Sequence, residues 1–328
     1  MAELSYLEAI RGGLLAAMRS DPSVYVLGED VALGGPFGVT KGIAEELGRN
    51  RVVNTPISEG TIMGLAIGAA LSGFRPVVEI MFVDFITLAM DQLVNHAAKL
   101  HYMSGGQLKV PLTVRVQCGV TGHMGAHHSQ SLESWFLHVP GLKVVMPSNP
   151  ADAGSLIEAA IRDDNPVVFV EHRGLYFSRG EVPEGAPIMA LGKASVLRPG
   201  SDVTVLAVSN MVAPALDAAD VLASRGISAE VLDLRSLSPL DMDTIVTSVK
   251  KTSRLVVVHE AVEQGGIGAE IVARVQEHAL YHLDSPILRV AAPNAPVPAS
   301  PPLEKAFVPS SERIVQAALS VLERGGGV

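Results

Sequence analysis

The chain has 328 residues, 48% of them hydrophobic and 18% charged, which is enough for two domains with buried cores. Its net charge of −9, with no basic run, argues against nucleic acid as a partner. The single cysteine, Cys118, excludes an intrachain disulfide and a cysteine-rich metal site, and it suits a reducing compartment. The first residues do not have the pattern of a signal peptide, and no run of about 18 apolar residues occurs in the sequence, so we expect neither a leader nor a membrane span. We therefore expect a cytoplasmic protein that makes no membrane contact.

The first half of the chain alternates short apolar runs with helical patterns. Ser5 and Glu8 form a capping box that predicts a helix. Further helices are predicted after Ser58, from Asp84 to Met103, and after the cap residue Asn149. The apolar runs predict strands at residues 24–27, 51–53, 77–81, 112–116, 142–146 and 167–170. Because these strands are apolar throughout, they predict a parallel sheet covered on both faces.

A second α/β pattern follows a break between about residues 174 and 200. Residues 179–185 have the composition of a linker. Strands are then predicted at 203–208, 229–234, 255–258 and 287–290, with a last helix near 312–322 and an extended surface segment at 292–302. We predict an α/β fold with two parallel-sheet domains, residues 1–180 and 201–328, joined by a linker at 181–200. The tail at 325–327 is predicted to be disordered.

The segment around Glu59 has an unusual combination of residues. Ser58 precedes Glu59, and the helix that follows is apolar and rich in glycine. A carboxylate at the N-terminus of such a helix needs a partner. Glycine lets another backbone or a flat ligand approach the helix closely. A solvated glutamate favoured by the helix dipole is the simpler interpretation of this segment alone.

Two further segments carry residue types that suit catalysis or ligand binding. His123, His127 and His128 cluster in a glycine-rich loop, but no cysteine or carboxylate completes a zinc set. They are either exposed loop residues or include an acid–base or anion-binding group, because the histidine pKa of about 6.5 suits proton transfer. Phe82 and Phe85 follow a strand, where α/β folds bind ligands; Phe82 suits the core and Phe85 suits stacking on a ring.

Two other motifs have simpler explanations that we prefer. Residues 160–166 favour a helix-ending turn, although their oxygens could also hold a hard cation. Gly265, Gly266 and Gly268 resemble part of a nucleotide-binding fingerprint, but the glycine spacing is incomplete. A glycine-rich turn that packs on a neighbouring residue is the better interpretation.

Taken together, these motifs resemble one family over nearly the whole chain, from about Ser5 to Leu322. It is the β subunit of the thiamine-diphosphate-dependent first component of 2-oxo acid dehydrogenase complexes, of the pyruvate, branched-chain and acetoin types. The motifs that match in order are Leu27-Gly28-Glu29-Asp30, Thr55-Pro56-Ile57-Ser58-Glu59, Arg75-Pro76-Val77-Val78-Glu79, Asp91-Gln92-Leu93-Val94-Asn95, His128-Ser129-Gln130, Pro140-Gly141-Leu142-Lys143-Val144-Val145 and Ile161-Arg162-Asp163-Asp164-Asn165-Pro166-Val167.

The resemblance implies a pyrimidine-binding domain followed by a transketolase C-terminal-type domain. Glu59 would hydrogen-bond ring nitrogen N1′ of thiamine diphosphate and favour the imino tautomer that removes the thiazolium proton. Phe85 would stack on the pyrimidine, and Glu29, Ile57 and Met81 would line its pocket. His128 would contact the 2-oxo acid carboxylate or assist acyl transfer to a lipoyl group.

The resemblance also implies metals and partners. Mg²⁺ would be held mainly by an α subunit in an α2β2 heterotetramer, because this chain has no Gly-Asp-Gly motif. A lipoyl-bearing acyltransferase would accept the product. Potassium, bound in some members, would fall on Leu112, Ala160, Ile161, Asp163 and Asn165. The segment at 122–127 is closer to branched-chain or acetoin forms, and the segment at 81–85 is closer to acetoin-type sequences. An acyloin-forming carboligase subunit and a non-catalytic scaffold chain are the alternative functions.

Overall fold

A computed structural model describes residues 1–185 and 187–324, and these form two compact units. Unit 1 comprises Met1–Cys118 and Trp135–Leu191, and unit 2 comprises Gly119–Ser134 and the chain from Gly192 onward. Within the described residues, no helix has the length and apolar character needed to cross a membrane.

Unit 1 is built on a parallel sheet, as the apolar strand runs predicted. Its strands are β1 (Ala2–Ser5), β2 (Val24–Gly28), β3 (Val52–Asn54), β4 (Arg75–Ile80), β5 (Thr113–Cys118), β6 (Lys143–Val145), β7 (Val167–His172) and β8 (Arg179–Val182). Strands β2 to β7 pair in parallel in the order β3-β2-β4-β5-β7-β6. β1 and β8 form a separate antiparallel pair, so a strand occupies part of the stretch predicted to be a linker.

Helices cover the sheet of unit 1. They are α1 (Tyr6–Ser20), α2 (Ile43–Leu47), α3 (Glu59–Leu71), α4 (Leu100–Met103), α5 (Glu133–Leu137), which spans the division between the units, and α6 (Pro150–Arg162). The predicted caps are confirmed at Ser5, which forms the capping box with Glu8, and at Asn149, whose side chain accepts from the Asp152 amide. Ser58 precedes α3 as predicted, but its hydroxyl donates to Thr61 and does not cap the helix.

The prediction of one long helix from Asp84 to Met103 is wrong. A 3₁₀ helix at Val83–Ala89 is followed by a π-helix at Asp91–Ala97 and then by α4. The segment still ends before Gly105 and Gly106, both of which have positive φ angles. Apolar periodicity indicates that a segment is helical, but the same periodicity fits α, 3₁₀ and π geometry over short stretches.

Helices α1 and α6 cross at two glycines. A Cβ atom added to Gly13 would lie 2.4 Å from the carbonyl oxygen of Gly154, and one added to Gly154 would lie 3.1 Å from that of Ala9. The two helices can therefore approach this closely only because Gly13 and Gly154 have no side chains. The core beside this crossing includes Ile10, Leu14 and Ile157.

Unit 2 is a second α/β unit. Its strands are β9 (Ser195–Arg198), β10 (Val203–Ala207), β11 (Ala229–Asp233), β12 (Ser236–Ser238), β13 (Leu255–Val262) and β14 (Leu288–Ala292), and its helices are α7 (Val212–Ala223), α8 (Met242–Thr252), α9 (Ile267–Ala279), α10 (Pro301–Phe307) and α11 (Ser311–Arg324). The sheet order is β14-β13-β10-β11-β9, with only β9 antiparallel. The predicted strands and last helix are confirmed, whereas β9 and β12 were not predicted.

Two segments of unit 2 refine the sequence interpretation. The segment 292–302 is not extended throughout, because Pro301 and Pro302 occupy the first turn of α10, where proline is tolerated. Gly266 precedes α9, and a Cβ atom added to it would lie 2.4 Å from His259 Cε1. The preferred interpretation of this motif, a glycine turn packed on a neighbour, is confirmed. The tail at 325–327 lies outside the described residues.

Candidate active site

Three neighbouring strands of unit 1 bring the predicted cofactor-binding residues to one sheet edge. β2 lies between β3 and β4, and all three are parallel, so their carboxyl ends meet at the same edge. Glu29 directly follows β2, Met81 follows β4, and Phe85 lies in the 3₁₀ helix just beyond. Ile57 and Glu59 lie in the turn after β3 and at the start of α3. The carboxyl edge is where open α/β sheets bind ligands.

Glu29 and Glu59 form a pair of buried carboxylates at this edge. Their residues are 9% and 8% exposed. Burial raises the pKa of Glu29, and the charges of Glu59 and Asp30 raise it further. Within residues 1–185 and 187–324, neither carboxylate has a hydrogen-bond or ion-pair partner. A buried carboxylate without a partner is costly, so both groups are suited to a ligand that supplies hydrogen-bond donors.

A row of aromatic rings leads to Phe85. The Phe82 and Phe85 ring centroids lie 5.6 Å apart in an edge-to-face arrangement, and Phe37 approaches Phe82 at 5.8 Å in the same manner. The Arg173 guanidinium lies 5.1 Å from the Phe82 centroid. Phe82 is buried, as the sequence predicted, whereas Phe85 is half-buried. Phe85 can therefore offer a ring surface to a flat ligand.

The remaining pocket residues differ in exposure. Ile57 is 81% exposed, and Met81 is half-buried. Sequence analysis missed Phe37, which joins the aromatic row from a glycine-rich loop. The sequence did contain an indication of a role for Phe37, since only 4% of residues are aromatic and Phe37 is the only aromatic residue in that loop.

The centre of the same sheet contains a buried charged cluster that sequence analysis also missed. Arg115 on β5 pairs with Glu79 on β4 and with Glu171 on β7, where the Arg115 Nε–Oε1 distance is 2.6 Å. The Tyr176 hydroxyl donates to Glu171 at 2.8 Å. Burial opposes the charge on Arg115, but the charges of Glu171 and Glu79 outweigh burial and raise its pKa. A charged residue within or directly after each apolar run was the available signal.

The predicted residue His128 belongs to unit 2. It lies in Gly119–Ser134, which we call the histidine loop. His128 is half-buried, whereas His123 and His127 are exposed. His123 has a left-handed backbone, with φ of 59°, and its Nδ1 lies 3.3 Å from a carboxylate oxygen of Glu304.

The proposed potassium ligands lie together in unit 1, but their carbonyl groups already accept hydrogen bonds. Arg75 Nη1 lies 3.1 Å from the carbonyl oxygens of both Ile161 and Asp163. The Leu112 oxygen accepts from Val167, and the Ala160 oxygen accepts from Asp163. A cation here would share two carbonyl groups with a guanidinium, using their second lone pairs.

Side chains at this position are paired as well. Lys143 pairs with the Asp163 carboxylate, and the Asn165 amide donates to it at 2.9 Å. Although burial raises the pKa of Asp163, the hydrogen bonds from Lys143 and Asn165 lower it overall. No group of three or more histidine, cysteine or acidic side chains in the described part of the chain is arranged to hold a metal ion.

Comparison with known proteins identifies both halves of the chain. Residues 2–178 match the model of the transketolase pyrimidine binding domain, and residues 192–314 match that of the transketolase C-terminal domain. The chain is 47% identical to the β subunit of acetoin:2,6-dichlorophenolindophenol oxidoreductase from Bacillus subtilis, over 97% of each chain. The chain belongs to this transketolase-like family of β subunits.

Other relatives carry the pyruvate dehydrogenase name. The pyruvate dehydrogenase E1 β subunit of Bacillus subtilis is 45% identical, with 98% of this chain and 100% of the relative covered. Among solved structures, a split-gene transketolase described as an inactive β4 tetramer superimposes with a TM-score of 0.82 at 24% identity, covering 98% of this chain and 99% of that one. The predicted α/β fold and the family resemblance are both confirmed.

Proposed function

We propose that this chain is the β subunit of a thiamine-diphosphate-dependent 2-oxo acid dehydrogenase of the pyruvate, acetoin or branched-chain type. The observation that carries the proposal is the pair of buried carboxylates, Glu29 and Glu59, which lack partners at the carboxyl edge beside Phe85. Family membership supports it, since relatives at 43–47% identity bear pyruvate dehydrogenase and acetoin oxidoreductase names.

The residues at the carboxyl edge suit the aminopyrimidine half of thiamine diphosphate. When bound, this cofactor supplies a nucleophilic carbon and an electron sink for cleavage of the bond next to the substrate carbonyl. Glu59 would hold a proton at the pyrimidine ring nitrogen, which satisfies its buried carboxylate. Glu29 would keep the local charge negative, and Phe85, Ile57 and Met81 would fix the ring plane.

His128 is proposed as the second catalytic residue. Imidazole can both contact a substrate carboxylate and move a proton near neutral pH. The half-buried position of His128 in a loop suits contact with a substrate while retaining solvent access. The acyl product would pass to the lipoyl group of an acyltransferase component.

The activity is proposed to require an α subunit, in an α2β2 heterotetramer. Helix α3 carries no charged residue after Glu59, yet Gly64, Leu65 and Gly68 on one face are exposed. Leu65 is 56% exposed, and Leu88 and Ile57 nearby are more exposed still. A helix that is apolar on all sides is normally buried, so another chain is expected to cover this face.

The same partner would bind the diphosphate and Mg²⁺. This chain has no Gly-Asp-Gly motif and no basic run, so it offers neither the magnesium ligands of thiamine enzymes nor a cationic surface for phosphate. Potassium bound by Leu112, Ala160, Ile161, Asp163 and Asn165 stays a prediction, as does a cytoplasmic location.

The test is assembly followed by turnover. The chain is co-expressed with an α-type subunit from the same source and analysed by native mass spectrometry with thiamine diphosphate and Mg²⁺. The complex is then assayed on pyruvate, branched 2-oxo acids and acetoin, with lipoamide or 2,6-dichlorophenolindophenol as acceptor. We expect an α2β2 mass and acceptor reduction with at least one substrate.

Other outcomes point to the alternative functions. A complex that forms acyloins but reduces neither acceptor would indicate a carboligase subunit. An assembled complex that turns over no substrate would indicate a scaffold. A homodimer of this chain that binds thiamine diphosphate and is active alone would contradict the need for an α subunit.

A further inference from the structure

The histidine loop is held to the body of unit 2 by two carboxylates. Glu260, in the second half of β13, is 5% exposed, and its Oε1 accepts from the Val120 amide at 2.8 Å and from the Ser131 hydroxyl at 3.2 Å. Val120 and Ser131 lie near opposite ends of the loop. One buried oxygen therefore joins both ends of the segment that carries His128.

The second carboxylate acts inside the loop. Glu304, on α10, accepts from the His123 amide at 2.9 Å and also lies near the His123 ring. His123 has a positive φ angle, and a residue with a Cβ atom adopts that conformation at an energetic cost. The hydrogen bond from the His123 amide to Glu304 offsets this cost and stabilises the left-handed backbone conformation at His123.

Apolar packing supports the loop at Val120. Val120 packs with Ala292, Val297 and Phe307 in a small apolar cluster. Alongside lies a cavity of about 470 Å³ lined by residues of the loop, including His127 and Gln130, and by Glu260 and Asn294. Because a cavity borders the loop, van der Waals contacts are fewer on that side. The hydrogen bonds to the two carboxylates therefore add to the backbone bond from the Gly119 amide to the Gln130 carbonyl, 3.3 Å long, that closes the base of the loop.

We propose that Glu260 and Glu304 are positioning residues that hold the histidine loop in the conformation in which His128 works. Neither residue needs to touch the substrate. Glu260 fixes the width of the loop at its base, and Glu304 fixes the strained turn five residues before His128. This inference rests on the proposed function of His128.

The first test measures the loop itself. Hydrogen exchange is recorded on the assembled complex for wild type, Glu260→Ala and Glu260→Gln. We expect Glu260→Ala to speed exchange across residues 119–134 about tenfold or more, because a hydrogen bond to a buried charged group is lost. Glu260→Gln should retain most protection, since its amide oxygen can accept the same two bonds. Unchanged exchange in Glu260→Ala would overturn the proposal.

Glu230→Ala is the matched control. Glu230 is also a buried carboxylate of unit 2, and it accepts from Ser248 and Lys251 on α8 rather than from the loop. The Glu230→Ala variant should speed hydrogen exchange in α8 and leave exchange at residues 119–134 unchanged. If Glu230→Ala speeds loop exchange as much as Glu260→Ala does, the effect is general destabilisation and the proposal fails.

The second test links the loop to catalysis by a double-mutant cycle. Turnover is measured for Glu260→Ala, Glu304→Ala, His128→Ala and the two double variants, with binding of thiamine diphosphate measured in parallel. We expect each glutamate variant to lower turnover in the wild-type background and to add little once His128 is absent. Cofactor affinity should stay within about twofold, because the carboxylates act through the loop.

The outcomes separate the inference from the function on which it rests. Equal losses of turnover in both backgrounds would overturn the positioning role of the glutamates. Should His128→Ala itself leave turnover unchanged, the proposed function of His128 would be wrong, and the positioning role would fall with it. The exchange experiment would in that case still report whether the carboxylates hold the loop.

Discussion

Unit 1 contains two sets of buried carboxylates that differ in one respect. At the centre of the sheet, Glu79 and Glu171 are paired with Arg115. At the carboxyl edge, Glu29 and Glu59 have no hydrogen-bond or ion-pair partner within the described residues. Burial raises the pKa of Glu79 and of Glu29 alike, but only Glu79 has a cation to oppose that rise.

The difference separates groups that stabilise the fold from groups that we propose to bind a ligand. A paired carboxylate in the interior satisfies its hydrogen bonds, and removing its partner leaves a buried charge uncompensated. An unpaired carboxylate at an edge lowers the stability of the chain by itself, and this cost is recovered when a ligand supplies donors. Removing the partner of a paired carboxylate should therefore destabilise the protein, whereas neutralising an unpaired carboxylate should stabilise it.

The largest effect is expected for Arg115→Met. This change leaves two buried carboxylates without their cation, so we expect the free energy of unfolding to fall by about 3–5 kcal/mol. Denaturant unfolding checks this value. Arg198→Met is the control, because Arg198 pairs with the exposed Asp220 and such pairs contribute about 1 kcal/mol or less. Equal losses for the two variants would mean that the Arg115 cluster does not hold the sheet.

A smaller effect, dependent on pH, is expected from His259 in unit 2. Burial lowers the pKa of His259 to about 4, and its Nε2 has no hydrogen-bond partner in the described part of the chain. The unfolded chain therefore binds a proton below about pH 6.5 that the folded chain excludes until about pH 4. We expect His259 to reduce the free energy of unfolding by about 3 kcal/mol as the pH falls through this range.

His259→Leu isolates this contribution. It removes the titrating group and should flatten the fall in stability between pH 6.5 and pH 4, measured by denaturant unfolding at several pH values. His278 is exposed, and His278→Leu should show the same fall in the free energy of unfolding with pH as wild type. A slope that is unchanged in His259→Leu would contradict the buried neutral state of this histidine.

The smallest effect, and one of opposite sign, is expected for Glu29→Gln. The raised pKa of Glu29 means that the folded chain holds this proton more tightly than the unfolded chain, so stability is lost as the pH rises through that pKa. Glu29→Gln should remove the loss and raise the unfolding midpoint near neutral pH, with little change near pH 4. A lower midpoint at neutral pH would show that Glu29 has a stabilising partner.

Much of the fold could be predicted because its signals are local. Apolar strand runs, the capping box at Ser5 and the cap at Asn149 each act within a few residues and fix their elements. The irregular helix at 83–103 could not be predicted, since α, 3₁₀ and π turns share the same short-range apolar pattern. β8 and β9 were missed because each depends on pairing with a strand distant in the sequence.

The candidate site could be predicted only in part from local patterns. Residues that follow parallel strands, such as Glu29 and Phe85, can be placed at one edge as soon as the strands are known. The bonds of Glu260 and Glu304 to the histidine loop join residues at least 129 positions apart, and no local pattern carries that information. Phe37 reaches the aromatic row through packing alone.

The most direct test of the central claim is a comparison of Glu59→Gln with wild type in the assembled complex. We expect turnover to fall about 10²–10⁴-fold, the usual contribution of a group that moves a proton, while the unfolding midpoint of the chain is unchanged or higher. Glu45→Gln, an exposed glutamate of the same unit, should change neither quantity. Near wild-type turnover in Glu59→Gln, or a loss of stability like that of Arg115→Met, would contradict the account.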